Sequence, residues 1–110
     1  MSYTTIATKP NMPLGSRKVV KVDDNDVLLV NVNDEFYAVG LFCPHNPKFS
    51  LAEAPIEGNI VTCSEDGSQF DLRTGKNTLG PKGLFGRKAV KNLRTYTIKL
   101  EGEAIRVQSL

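Results

Sequence analysis

Short apolar, β-branched runs alternate with tight polar breaks along most of the chain. Arg17–Val22 carries Val19, Val20 and Val22, and Asp23-Asp24-Asn25-Asp26 follows as a run of turn-favouring residues. Val27–Val32 is a second apolar run, Asn33-Asp34-Glu35 breaks it, and Phe36–Gly40 resumes. Three short strands with tight turns between them predict an antiparallel meander. Near the C-terminus Tyr96, Ile98 and Leu100 alternate with Thr95, Thr97 and Lys99. Gly102-Glu103 then turns the chain into Ala104–Gln108, where Ile105 and Val107 share one side, so a hairpin is expected. No segment sustains a helical period, and Leu51–Ala54 is expected to form a helical turn at most. The fold class is therefore all-β, an antiparallel sandwich or barrel.

The middle of the chain breaks this rhythm. From Leu41 to Pro81 it is rich in Gly, Pro, Asn and Ser, with two short strand candidates, Asn59–Cys63 and Gln69–Leu72. A long loop-rich stretch inside a compact β domain is usually functional. Residues 41–81 are accordingly expected to form a small inserted subdomain within a single domain of residues 1–110. Both cysteines and the only histidine lie in it.

Composition narrows the function. The 110 residues amount to one domain, and 40% hydrophobic with 24% charged residues permits a packed core. A net charge of +2 argues against a dedicated nucleic-acid binder. That figure conceals two blocks. Asp23 to Asp71 holds ten acids and one base, Lys48, whereas Arg73 to Lys99 holds eight bases and no acid. Such blocks either mark docking surfaces, here a cationic face for an acidic partner, or interleave in space and cancel. No apolar run is long enough for a membrane span. The N-terminus has neither a basic nor an apolar signal-peptide region, so a cytoplasmic protein is expected. Reduced thiols in that compartment point to metal or redox chemistry for the cysteine pair, or to buried packing. No phosphate-binding glycine loop or nucleophilic triad is present, and one histidine offers little for acid–base catalysis. The segment Leu84-Phe85-Gly86, inside the basic block, is expected either to dock a partner or to tuck beneath a neighbouring loop.

The chemistry sits in two loops. The first is Cys43-Pro44-His45, and the second is Cys63-Ser64-Glu65-Asp66-Gly67, with seventeen residues between His45 and Cys63. Thiolate and imidazole are good ligands for iron and zinc. A Cys-x-His turn aims two side chains at one point, and a Cys-x-x-ligand turn can complete the set. The candidate ligands are Cys43, His45, Cys63 and Asp66.

These residues, with the Gly67-Ser68-Gln69-Phe70-Asp71-Leu72-Arg73-Thr74-Gly75 tail and Gly80-Pro81 beyond it, resemble the Rieske-type 2Fe–2S ferredoxin family. The resemblance covers nearly the whole chain. It implies a β-sandwich with an inserted cluster-binding subdomain. It also implies a 2Fe–2S cofactor and one-electron transfer between a reductase and an oxygenase or other acceptor. The chain would thus be a carrier and not an enzyme. Carried over, Cys43 and Cys63 would hold one iron and His45 the other. Asp66 stands where the family has its second histidine, and Ser64 where it usually has proline. Ser68 matches a hydroxyl donor of high-potential relatives, while Phe70 replaces their tyrosine. The cysteine pair that staples the loops of those relatives has no counterpart here. These features place the chain on the low-potential branch.

Three readings of Asp66 remain open. Its carboxylate can replace the imidazole in a retained cluster. The cluster can be lost, leaving a scaffold or accessory module similar to the small subunit of assimilatory nitrite reductase. The four residues can instead bind one metal such as zinc. In a retained cluster, the added negative charge at about 4 Å and an effective dielectric of about 20 is worth roughly 4 kcal/mol. That lowers the potential by something on the order of 0.1–0.2 V. It also leaves His45 as the only imidazole to titrate.

Overall fold

The computed structural model describes residues 3–44, 48–80 and 91–108. His45 and Leu84-Phe85-Gly86 lie outside the described residues, as do Pro81, Lys82, Arg87 and Lys88. Among the described residues there are eleven strands. In order they are β1 (Tyr3–Thr8), β2 (Arg17–Val22), β3 (Asn25–Val32), β4 (Glu35–Gly40), β5 (Ile56–Glu57), β6 (Ile60–Thr62), β7 (Gln69–Asp71), β8 (Asn77–Leu79), β9 (Thr95–Tyr96), β10 (Ile98–Glu101) and β11 (Ala104–Gln108). A short 3-10 turn at Lys9–Asn11 is the sole helical element among the described residues. The strands form three antiparallel sheets, ordered β1-β11-β10, β2-β3-β4-β9 and β5-β6-β7-β8.

The expected meander is the middle sheet. Its two connections are two-residue turns in which Asp23 and Asp24, then Asn33 and Asp34, take positive φ. Asn and Asp tolerate that region better than other non-glycine residues, and such turns match the twist of a hairpin. The expected C-terminal strand is split. Tyr96 pairs with Ala38 in the middle sheet, while Ile98 pairs with Val107 in the outer sheet. The chain changes sheets at Thr97, which stitches the two together. β1 carries a weak pattern, with Thr4 and Thr5 exposed and only Ala7 fully buried, and it closes the outer sheet against β11. Leu51–Ala54 forms the single turn expected, closed by the Ala54 amide on the Leu51 carbonyl at 3.1 Å.

β3 is apolar on both faces because both are covered. Val27 and Leu29 pack with Ala7, Met12, Val22, Ile105 and Val107, between the middle and outer sheets. Leu28 and Val30 pack with Val39, Leu41, Leu51, Val61, Phe70, Leu72 and both cysteines, beneath the third sheet. Two cores thus share one strand as their common wall. Buried Asn31 is fully engaged, donating to the Met12 carbonyl at 2.7 Å and accepting from the Asp34 amide at 2.9 Å. Buried Asn77 spans the bulge between β7 and β8, donating to the carbonyls of Gln69 and Leu79.

The third sheet is tied to the rest at Gly75. Its φ is +77°, its carbonyl accepts from the Leu93 amide at 2.7 Å, and a Cβ there would meet the Leu93 oxygen at 2.1 Å. Gly75→Ala is expected to cost more than about 3 kcal/mol, because a backbone clash adds to roughly 1–3 kcal/mol of left-handed strain. Gly58→Ala, at φ +60° with open space around it, should cost the strain alone. Urea midpoints of the two variants check the difference, and equal midpoints would refute the close contact.

A titration follows from β4. The Tyr37 hydroxyl donates to the Glu35 carboxylate, and that bond, with burial and the Glu35 charge, pushes the phenol up to about 12. The protonated phenol is favoured in the folded state. Its contribution to stability is therefore complete below about pH 10 and lost as pH rises through about 12. Glu35→Ala should bring one tyrosine step in the phenolate absorbance back down toward about 10.

Candidate metal centre

Each cysteine is placed by the period-2 rule of the strand that precedes it. Along β4 and beyond, Val39, Leu41 and Cys43 fall on one side, and all join the core beneath the third sheet. Along β6, Val61 and Cys63 do the same. Cys43 is 0% and Cys63 1% exposed, and both are free thiols. The sequence thus carries each cysteine as the next inward position beyond the end of a strand, where the backbone has left the ladder.

Both loops are closed at the base by backbone hydrogen bonds. In the first, the Cys43 amide donates to the Phe49 carbonyl at 2.8 Å and the Leu51 amide to Leu41 at 2.7 Å. In the second, the Cys63 amide donates to Ser68 at 2.8 Å and the Gly67 amide returns to Cys63 at 2.9 Å. Gly67 sits at φ +76°, which a side chain would resist. The six residues Cys63–Ser68 therefore make a tight turn.

Asp66 belongs to that turn. Its Oδ1 accepts the Ser68 amide at 2.8 Å, and its Oδ2 accepts from the Cys43 thiol at 3.5 Å. Burial pushes its carboxyl upward. Hydrogen bonds from the Ser68 hydroxyl and amide and from both thiols outweigh that, leaving it below the usual carboxylate value. The ligand atoms of Cys43, Cys63 and Asp66 lie within 4.8 Å of one another. Three of the four residues singled out in the sequence therefore converge, and the fourth, His45, lies outside the described residues.

Two thiols that deprotonate to soft ligands, buried at the bases of two closed loops, fit one end of an iron–sulfur group. At residue 66 the donor is oxygen and not nitrogen. Ser68 does more than its side chain alone suggested, since its backbone amide fixes the carboxylate. That role follows from the local turn and has no residue-type signature. Phe70 is fully buried in the same core as both cysteines, so its part is to pack.

The two charge blocks meet at their boundary. Arg73, first base of the basic block, grips Asp71, last acid of the acidic one, through Nε at 3.1 Å and Nη2 at 2.9 Å. Arg94 lies over the Tyr96 ring at 5.1 Å, and Lys99 pairs with Glu101 at 3.6 Å.

Comparison with known proteins agrees with this picture. The family described as Rieske-like [2Fe-2S] domain matches residues 2–108. The ferredoxin component of biphenyl 2,3-dioxygenase from Rhodococcus jostii (strain RHA1) is 30% identical over 107 residues, covering 97% of this chain and 92% of that protein. The biphenyl dioxygenase ferredoxin subunit of Pseudomonas sp. (strain KKS102) is 31% identical over 108 residues, with the same coverage. Among solved structures, the ferredoxin of carbazole 1,9a-dioxygenase from Nocardioides aromaticivorans IC177 superposes with a TM-score of 0.80, covering 100% of both chains at 24% identity. That last likeness speaks for the fold, whereas the family match and the two relatives speak for descent. On these grounds the chain belongs to the Rieske-like 2Fe–2S domain family.

Proposed function

We propose that this protein is a Rieske-type ferredoxin that passes single electrons from a reductase to an oxygenase or similar acceptor. It is a carrier, not a catalyst, and it works in the cytoplasm. Residues 1–110 form one domain, with 41–81 as the cluster-binding subdomain. Cys43 and Cys63 hold one iron, and His45 and Asp66 hold the other.

The observation that carries this reading is the pair of buried thiols, not joined in a disulfide, at the bases of two closed loops and facing a carboxylate. A bound 2Fe–2S cluster supplies a reversible one-electron couple. The chain supplies the rest. The core under the third sheet keeps water from the two sulfur ligands, because Leu41, Leu51, Val61 and Phe70 pack with them. The backbone bonds at the loop bases fix the ligand positions, which limits the rearrangement that accompanies a change of charge. The relatives' roles as ferredoxin components of dioxygenase systems support the choice of reductase and oxygenase as partners.

The first test is composition. Protein purified anaerobically should be red-brown, with iron and acid-labile sulfide in equal amounts. Colourless protein without either would overturn the proposal. The second test is the potential. Asp66→His removes a negative charge beside the redox iron, so voltammetry should show the potential rising by on the order of 0.1–0.2 V. An unchanged potential would remove Asp66 from the ligand set.

A further inference from the structure

We propose that, before any cluster is built, Cys43, Cys63 and Asp66 form a mononuclear site for one thiophilic divalent cation of the ferrous or zinc type, with Asp66 as a direct ligand. The inference goes beyond electron carriage and needs neither sulfide nor His45.

The geometry is that of a four-coordinate ion. Metal–sulfur bonds of about 2.3 Å and metal–oxygen bonds of about 2.0–2.2 Å place tetrahedral ligand atoms roughly 3.3–3.8 Å apart. Cys43 Sγ and Asp66 Oδ2 are 3.5 Å apart, and all three ligand atoms fall within 4.8 Å. Small adjustments of the thiol rotamers bring the set onto one centre. The carboxylate is also aimed in advance. The Ser68 amide holds Oδ1, so Oδ2 is the oxygen turned toward the thiols. A ligand fixed by its own loop loses little further freedom on binding. Both sulfurs are buried, which favours a bound cation over a hydrated one at a site already lined by soft donors.

Binding moves no electrons. Two sulfur–hydrogen bonds break, two metal–sulfur bonds and one metal–oxygen bond form, and two protons pass to solvent. Among the described residues three donors converge on one point. A thiophilic ion seated there occupies the same two thiols that a cluster requires. Zinc would therefore compete with cluster assembly, and ferrous iron would occupy the same two thiols.

Cobalt(II) chloride is the probe. The full chain, produced under iron limitation and kept reduced, should take up one cobalt ion. It should show a thiolate-to-cobalt charge-transfer band together with intense tetrahedral d–d absorption, and zinc should displace the cobalt. Asp66→Ala should retain the charge-transfer band but lose affinity by roughly 10- to 100-fold and lose d–d intensity. Asp66→Asn, which keeps the shape of the side chain, serves if circular dichroism finds the alanine variant unfolded. Identical cobalt affinity and spectrum in a folded Asp66 variant would overturn the proposal, as would a wild-type chain with no charge-transfer band. Cluster content is read separately as iron and sulfide, so failure of this site and failure of the ferredoxin assignment give different results.

Discussion

The structure depends on one strand buried on both faces. β3 offers Val27 and Leu29 to one core and Leu28 and Val30 to the other, all at 0–1% exposure. Such a strand gains burial on both sides but loses the usual guard against misregistry. Where one face is polar, a one-residue slip exposes the apolar set and is penalised. Here a slip would exchange one apolar face for another. Register must therefore come from elsewhere, and the chain supplies it at both ends. The Asp23-Asp24 and Asn33-Asp34 turns fix two residues each at positive φ, and loop length sets hairpin register. Asn31 adds a second lock. Displaced by one position, its amide would lose both the Met12 carbonyl and the Asp34 amide and leave buried polar atoms unpaired.

That shared wall also places the metal centre. β4 lies against β3 and inherits its two-sidedness, with Ala38 in one core and Val39 in the other. Continuing the Val39 side by twos reaches Leu41 and then Cys43. The third sheet covers the same face and delivers Cys63 by the same arithmetic from Val61. The two thiols meet because both inward periods run on into the same core. Gly75 ties the third sheet to Leu93 through a close backbone contact and a hydrogen bond.

Much of this was legible in the residues, for definite reasons. The meander and the last hairpin were visible because alternation and turn residues are local signals. The change of sheet at Thr97 was not, because Thr95 to Leu100 alternates evenly across it and only tertiary pairing decides where a strand changes partner. β1 was obscure because its threonines face solvent and it depends on β11 for a partner. Spacing and residue type brought Cys43, Cys63 and Asp66 forward as candidates. They could not give the direction of the carboxylate, which is set by a backbone amide that every residue but proline possesses. The charge blocks read as separate in sequence, yet the Arg73–Asp71 pair joins their boundary in a single turn.

The carboxylate turned toward two thiols constrains the states the loops can occupy. With both thiols protonated, Asp66 accepts their hydrogen bonds and is stabilised as an anion. With both deprotonated, three negative charges would stand within 4.8 Å of one another at a site whose sulfurs are sheltered from water. Only a cation placed among them reverses the sign of the interaction. An imidazole at residue 66 would relax this condition, since a neutral donor adds no repulsion to a pair of thiolates. On the proposed assignment, metal would replace both thiol protons, and a carboxylate at residue 66 would tie the second loop to the ion more closely than the two cysteines alone.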